Sequence, residues 1–240
     1  MNYRTIIISD IHLGSKYSRV NNVIEFLKGN SCETLILNGD IIDGWALKRG
    51  STWSNDHMRC LIKILKISKK TNIYWIRGNH DDFLYDFIPY SFGNITLLES
   101  MDYIGKNGKR YLVLHGDVFD MFIKDMKWLA YIGSVGYDFS LWLNKWYNKF
   151  RLIMGLEYFS LSKQIKNSVK TATNFISRFE EHMVNHANKM GYDGVICGHI
   201  HKAEITNIGN VEYMNSGDWV ESNTALVEHF DGTWEIINFL

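Results

Sequence analysis

Polar residues that can bind metal ions follow short apolar runs at five places in this 240-residue chain. The turns read DIH at 10–12, GDIID at 39–43, GNHD at 78–81, HGD at 115–117 and GHIH at 198–201. Each apolar run is typical of a buried strand that ends at Gly, Asp or His. Because ligands collect outside the carboxyl ends of strands in open α/β sheets, we expect these turns to meet at one place.

The spacing within the turns suits a centre of two metal ions. Asp10 and His12 are two residues apart on an extended segment, so both side chains point to one side and can bind one ion. His199 and His201 have the same spacing and can reach the two ions separately. Asp40 lies at the middle of the set, and its carboxylate is the group that both ions could share.

The remaining turn residues extend the donor set. Asn79 offers a neutral amide oxygen and His115 an imidazole nitrogen. Mixed nitrogen and oxygen ligation favours Mn, with Fe or Zn as alternatives, over Mg or Ca. Two such ions, about 3.5–4 Å apart, can clamp both oxygens of an in-line phosphoryl displacement.

A single Asp or His after a strand is usually only a turn cap or a satisfied loop residue. A lone GD or HGD therefore indicates nothing about metal binding. All five turns occur together in this chain, and that combination indicates a metal centre.

Together the five turns resemble the calcineurin-like metallophosphoesterases, whose motifs they match in the family's order. Within that family, SDIHLGS at 9–15, an aromatic-rich insert and SGDWVES at 216–222 are similar to the UDP-2,3-diacylglucosamine diphosphatase branch. The resemblance implies an α/β fold of two stacked mixed β-sheets flanked by helices. It also implies a dimetal phosphoesterase or pyrophosphatase that hydrolyses a phosphodiester or diphosphate bond by in-line attack of a metal-bridging hydroxide. The branch points to a UDP-linked acylated sugar lipid as substrate.

The resemblance also implies a role for each metal-binding residue. The first ion is expected to be bound by Asp10, His12 and His201. The second is expected to be bound by Asn79, His115 and His199. Asp40 is expected to bridge both ions.

The catalytic residues are expected in the GNHD turn. The resemblance gives His80 the role of protonating the leaving oxygen or stabilising the transition state, with Asp81 or a neighbour orienting it. The diacylglucosamine enzymes usually have Arg at the position of His80, which leaves the lipid substrate open. Gly44 follows Asp43 where the family often has Arg, which removes one phosphate contact. No substrate-binding residue is assigned.

Two other functions use the same core. A nucleotide or nucleic-acid phosphodiesterase would need a basic channel, but the net charge of +0 gives no global field for nucleic acid, and none is expected as a partner. A non-catalytic metal-binding scaffold is the alternative of another class. The retention of all seven ligands and His80 argues against it.

The elements between the turns are predicted from periodicity. We expect helices over 18–28, 55–70 and 177–190, a loop over 44–54, and strands at 94–98 and 111–114 joined by the turn at 106–109. Short antiparallel strands are expected after 203. In the segment 215–219, Asn215, Ser216, Asp218 and Trp219 are expected to support the site from behind, with plain turn chemistry as the alternative for the first two.

The chain is expected to form one domain, 1–240, with a helical insert at about 122–178. The insert has nine basic and three acidic residues, a net charge of +6, and many aromatic residues. Such a composition suits contact with anionic lipid head groups, although packing onto the sheet explains the aromatics equally well.

Composition predicts a globular protein, with 46% hydrophobic and 22% charged residues. Its three cysteines have no CxxC spacing, which favours a reducing compartment. No apolar run approaches the ~20 residues of a membrane span, and no signal peptide is recognised. We therefore expect a cytoplasmic protein that can rest on the inner face of the membrane. Its oligomeric state is not assigned.

Overall fold

The computed structural model describes residues 1–118 and 161–239, and for 161–172 only the backbone. Residues 122–160 of the predicted insert lie outside the described part. The chain forms two compact units, one of Met1–Asp117 with Met183–Leu240 and the other of Val118–His182. All five strand-end turns belong to the first unit. No helix in the described ranges is long and apolar enough to cross a membrane.

The described residues form two β-sheets. The strands are β1 (Asn2–Ile8), β2 (Ser31–Asn38), β3 (Asn72–Ile76), β4 (Tyr90–Phe92), β5 (Ile95–Leu98), β6 (Ser100–Ile104), β7 (Arg110–Leu114), β8 (Gly194–Cys197), β9 (Glu204–Ile208), β10 (Val211–Asn215), β11 (Thr224–Glu228) and β12 (Trp234–Asn238). The larger sheet has the order β12-β11-β1-β2-β3-β5-β4, and the smaller has the order β6-β7-β8-β10-β9. Both sheets mix parallel and antiparallel pairs. The predicted fold class, two mixed sheets flanked by helices, is confirmed.

Apolar residues alternate between the two faces of the larger sheet. On β1, Ile6 and Ile8 pack in a core with the helices, whereas Ile7 lies in a second core with Ile196 and Met214 of the smaller sheet. A strand that is buried on both faces needs a continuous apolar run. This is why the runs before the five turns are uniformly apolar.

Four α-helices and one 3₁₀ helix accompany the sheets in the described residues. They are α1 (Val20–Gly29), α2 (Gly44–Lys48), α3 (Asn55–Ile67), α4 (Leu161–Lys189) and the 3₁₀ helix Asp82–Phe87. The apolar face of α1 is buried at Val20, Val23, Ile24 and Leu27, which is the predicted helical period. At the start of α3, the Ser54 and His57 side chains cap each other's backbone N–H groups.

Two helix predictions are corrected by the structure. The predicted loop 44–54 contains α2, which begins where the Asp43 carboxylate accepts a hydrogen bond from Ala46 N. Five residues are too few to produce a recognisable helical period. The helix predicted to begin at 177 begins at Leu161, because no Gly or Pro interrupts the sequence from there to Lys189.

One strand pairing is also corrected. Across the turn at 106–109, β7 pairs with β6 and not with β5, which belongs to the other sheet. β6 is an edge strand with only Tyr103 buried, so its sequence lacks an apolar run. β4, whose three residues are all exposed, was missed for the same reason.

Candidate metal centre

The carboxyl ends of strands from both sheets lie beside one another. The turn after β1 is bonded to the turn after β2, since Asp10 N donates to Gly39 O at 3.0 Å and His12 N donates to Asp40 O at 2.9 Å. The turn after β8 reaches the same place, because His199 N donates to Asp10 Oδ2 at 3.1 Å. The sheet topology therefore brings together turns that are far apart in sequence.

Six predicted metal ligands and His80 form three overlapping groups with ligand atoms within 4.8 Å of one another. The shared members are His12 and Asp40. The groups are Asp10, His12 and His201; His12, Asp40 and His80; and Asp40, His115 and His199.

Distances place Asp40 between two sets of imidazoles. Its Oδ2 lies 3.8 Å from His12 Nε2 on one side and 3.3 Å from His115 Nε2 on the other. Asp10 Oδ1 lies 3.2 Å from His201 Nε2. Asp40 is therefore close to members of both expected ligand sets, and the division of the ligands between two ions stays a prediction.

Buried polar atoms without hydrogen bonds test whether the residues fit metal ions. Asp10 Oδ1, Asn79 Oδ1 and His115 Nε2 are buried, and none of them has a hydrogen-bond partner. Such an atom costs about 1–3 kcal/mol unless something satisfies it. These three, among twelve such atoms in the described residues, belong to predicted ligands, and each has a lone pair that a cation would satisfy. The donor set therefore fits divalent cations.

The backbone at the site is held in the left-handed region, so Asp10 and His12 do not lie on the extended segment that the sequence predicts. Non-glycine residues rarely adopt positive φ, and each instance costs on the order of 1–3 kcal/mol. Five of the seven predicted ligands have it: Asp10 (φ 53), His12 (φ 53), Asp40 (φ 54), His199 (φ 71) and His201 (φ 55). Strain of this kind persists where surrounding contacts impose it, and it clusters at functional sites.

Glycines let the turns approach the ligands closely. A Cβ on Gly78 would lie 2.2 Å from Asp40 Oδ1, and one on Gly39 would lie 2.4 Å from the His115 ring. A Cβ on Gly198 would lie 2.6 Å from Asp10 Oδ2. The glycine in each of these turns is therefore required by the packing of a neighbouring ligand.

Electrostatics at the site favour positive charge. Burial raises the pKa of Asp10, but the charges of His201 and His115 outweigh burial and lower the pKa to about 2. Burial lowers the pKa of His201, yet Asp10 raises it to about 9. Burial raises the pKa of Asp40, but His115 lowers it well below its usual range. The carboxylates are thus ionised and attract cations.

His80 is oriented by Asp43 and not by Asp81. Its Nδ1 lies 2.9 Å from Asp43 Oδ1, and its backbone N donates to Asp40 Oδ1 at 2.8 Å. Burial raises the pKa of Asp43, but hydrogen bonds from His12 and His80 lower it well below its usual range. Because the carboxylate is ionised, Nδ1 must donate, which leaves Nε2 for chemistry. Burial lowers the pKa of His80, but the Asp43 hydrogen bond and the Asp40 charge raise it above its ordinary value.

The structure gives Asp81 a different place from the one predicted beside His80. Asp81 is fully buried, and its Oδ2 accepts hydrogen bonds from Ile41 N and Trp75 Nε1, both at 3.2 Å. Burial and the charge of Asp40 raise its pKa to about 7. These contacts hold the Asp40 turn on β3 and offer nothing to a substrate.

The segment after β10 supports the site from behind, as expected. Asn215 Nδ2 donates to Gly198 O at 2.8 Å, and Ser216 Oγ lies 2.8 Å from Ser9 Oγ. Trp219 N donates to Asp10 O at 3.1 Å. Asp218 Oδ1 accepts from the backbone N of Val220 and Glu221, which closes this turn.

Sequence reasoning missed two residues beside the site. Trp45 stacks on the His80 ring, with centroids 4.3 Å apart and planes at 34°. Arg77 Nη1 donates to Asp117 Oδ2 at 3.3 Å, which links the GNHD and HGD turns. Asp43, the last residue of the GDIID turn, was a signal in the sequence that residues near 43–45 lie at the site. No sequence pattern indicated that Trp45 would contact His80.

Several solved structures are similar to this chain over nearly its whole length. The chain is similar to an archaeal phosphodiesterase (15% identity, 98% of each chain covered, TM-score 0.47). It is also similar to a phosphoesterase from E. coli (13%, 98% and 99% covered, TM-score 0.44) and to Vps29 from Entamoeba histolytica complexed with zinc (11%, 98% and 99%, TM-score 0.42). None of the curated protein sequences compared with the chain matches it.

The family is set by sequence. Residues 3–203 match the model of the calcineurin-like phosphoesterases, so the chain belongs to that family. It is therefore a metal-dependent phosphoester hydrolase.

Proposed function

We propose that the chain hydrolyses the diphosphate or phosphodiester bond of a nucleotide-linked substrate at a centre of two divalent ions. The observation that supports this most is the position of Asp40 Oδ2 between His12 and His115. Asp10, His12 and His201 would hold one ion, and Asn79, His115 and His199 the other, with Asp40 shared. Mn is the first choice of metal, with Fe or Zn as alternatives.

The residues around the ions have separate tasks. When bound, the ions supply positive charge that stabilises phosphoryl oxygens and activates water. His80 donates Nδ1–H to Asp43, so its Nε2, 4.0 Å from Asp40 Oδ2, faces the centre. A protonated His80 can give its Nε2 proton to the leaving oxygen, and its raised pKa favours that form.

The finer substrate is proposed from the two segments that resemble the diacylglucosamine diphosphatases. These segments, 9–15 and 216–222, contact each other through the Ser9 and Ser216 hydroxyls and through Trp219 N. A UDP-linked acylated sugar is the substrate that this resemblance supports. In that case the protein would act in the cytoplasm at the membrane surface. His80 replaces the usual Arg of that branch, so the test must include unacylated diphosphates.

The experiment is metal analysis of the protein, followed by hydrolysis assays of the metal-loaded protein. The substrates are phosphomonoesters, cyclic and linear phosphodiesters, and nucleotide-linked diphosphates. We expect two ions per chain and the highest kcat/KM on nucleotide-linked diphosphates. Preference for cyclic or linear phosphodiesters would select the phosphodiester bond and favour the alternative function of a nucleotide phosphodiesterase. Bound metal without turnover of any class would indicate a scaffold.

A further inference from the structure

Three consecutive residues surround the His80 ring and backbone. Asp43 Oδ1 is bonded to His80 Nδ1 at 2.9 Å, and Gly44 N donates to His80 O at 3.0 Å. Trp45 lies against the ring, with centroids 4.3 Å apart. We call these residues, 43–45, the His80 clamp.

The start of α2 fixes the clamp. The Asp43 oxygen that bonds His80 also accepts from Ala46 N at 2.8 Å and thereby caps the helix. Trp45 is the second residue of this helix, so its Cα is placed by the same cap. The orientation of His80 and the orientation of Trp45 therefore depend on one carboxylate.

Gly44 allows the clamp to close. A Cβ at this position would lie 2.8 Å from His80 O and 3.1 Å from the Phe83 ring. Any larger residue would push the backbone away from His80. This gives a physical reason for Gly at the position where the family often has Arg.

Two rings contact the His80 ring. His12, a proposed metal ligand, lies 4.6 Å from it at an interplanar angle of 90°, and Trp45 lies 4.3 Å from it at 34°. The Asp43 hydrogen bond fixes one atom of the ring but leaves rotation about that bond. The Trp45 indole packed against the ring restricts that rotation, because contacts between aromatic rings are favourable.

From this geometry we propose that Trp45 is a positioning residue for His80. It holds the imidazole so that Nε2 faces the metal centre, and it acts through His80 without touching the reacting atoms. The proposal rests on the proposed role of His80 in hydrolysis. It predicts that the benefit of Trp45 disappears when His80 is absent.

A double-mutant cycle tests this dependence. Trp45→Ala should lower kcat about 10- to 100-fold on a substrate with a poor leaving group, the usual effect of a misplaced catalytic group, with KM little changed. Trp45→Phe should restore most of the rate because it keeps a ring on His80. In a His80→Ala background, Trp45→Ala should add no further loss.

An NMR measurement gives a readout independent of turnover. In zinc-loaded protein labelled with ¹⁵N on histidine, the His80 ring nitrogen shifts are identified by their loss in His80→Ala. These shifts report the tautomer and the hydrogen bond to Asp43 far more than ring currents, and they should move in Trp45→Ala and stay close to the wild type in Trp45→Phe. Trp53→Ala is the matched control, because Trp53 packs edge-to-face on His57 of α3 and should leave His80 unchanged.

Three results would overturn the positioning role. They are unmoved His80 signals in Trp45→Ala, an equal loss of rate from Trp45→Ala in both backgrounds, and no loss in the wild-type background. A His80→Ala variant with full rate is distinguishable from these, since it removes the role of His80 in the proposed function and the positioning role with it.

Discussion

At the scale of single residues, the proposed metal ligands lie beside His80, for which we propose a different role in assisting the leaving oxygen. His80 is adjacent to Asn79 in the chain, but its ring is hydrogen-bonded to Asp43 and lies at right angles to the His12 ring. The ring therefore lies beside a proposed metal ligand, and it is held by Asp43, which is not in the proposed ligand set. This geometry predicts that His80 can be removed without loss of the ions.

His80→Ala should keep both metal ions and lose roughly 10²–10⁴ in kcat, the usual contribution of a positioned acid. The loss should shrink for substrates with good leaving groups, because these need less protonation. Metal content and rates on a leaving-group series measure both effects. His229→Ala is the control, because it removes an imidazole that is paired with Glu235 and is not in the predicted site. Equal losses across the series would argue against the role of general acid.

At the scale of elements, glycines let one turn approach the side chains of a neighbouring turn more closely than a residue with a Cβ would permit. Gly78 is the clearest case, since its missing side chain leaves room for Asp40. The turn after β3 and the turn after β2 are thus matched to each other. A change in one turn should damage a ligand in the other.

Gly78→Ala should weaken metal binding and reduce activity strongly, although Gly78 has no functional side chain. The added Cβ would lie 2.2 Å from Asp40 Oδ1 and 2.5 Å from Asp40 N, so the Asp40 turn must shift. Metal content, activity and the thermal midpoint are the measurements. Gly29→Ala, with nothing within 4 Å of the added Cβ, is the control and should change none of them. Full metal content in Gly78→Ala would show that the turn adapts.

The turns were predictable from sequence because each one follows a strand buried on both faces. The first three turns lie together because β1, β2 and β3 are parallel neighbours, and the last two lie together because β7 and β8 are parallel neighbours in the other sheet. The edge strands β4 and β6 were not predictable, since their exposed side chains give no apolar run. Contacts across elements, such as Trp45 on His80, depend on three-dimensional packing that no local pattern records. The left-handed backbone at Asp10 and Asp40 is likewise imposed by neighbouring turns.

At the scale of the whole molecule, a neutral chain contains a segment of net charge +6 at 122–178. Aromatic and basic residues together suit anionic lipid head groups. The first residues of this segment follow the HGD turn, which brings His115 to the metal centre. A surface that recruits lipid-linked substrate would therefore be joined directly to the site in the chain.

The protein should co-sediment with anionic vesicles at low salt and be released as salt rises, because salt screens exposed charges. The double change Lys145→Glu and Lys149→Glu should weaken this binding without slowing hydrolysis of a small soluble ester. The same charge reversal at Lys66 and Lys69, two exposed lysines of the unit that contains the five turns, is the matched control. If vesicle binding is absent and acylated and unacylated substrates turn over equally, the insert has only a packing role.

The central claim is that Asp40 is the ligand shared by two metal ions, and metal titration of Asp40→Ala tests it most directly. Calorimetry with Mn should give two ions per wild-type chain. In Asp40→Ala both affinities should fall and turnover should be abolished, while the fold remains. Asp86→Ala, which removes a carboxylate of the 3₁₀ helix outside the predicted ligand set, should match the wild type. Two ions bound by Asp40→Ala with wild-type affinity, together with near-normal turnover, would contradict the claim.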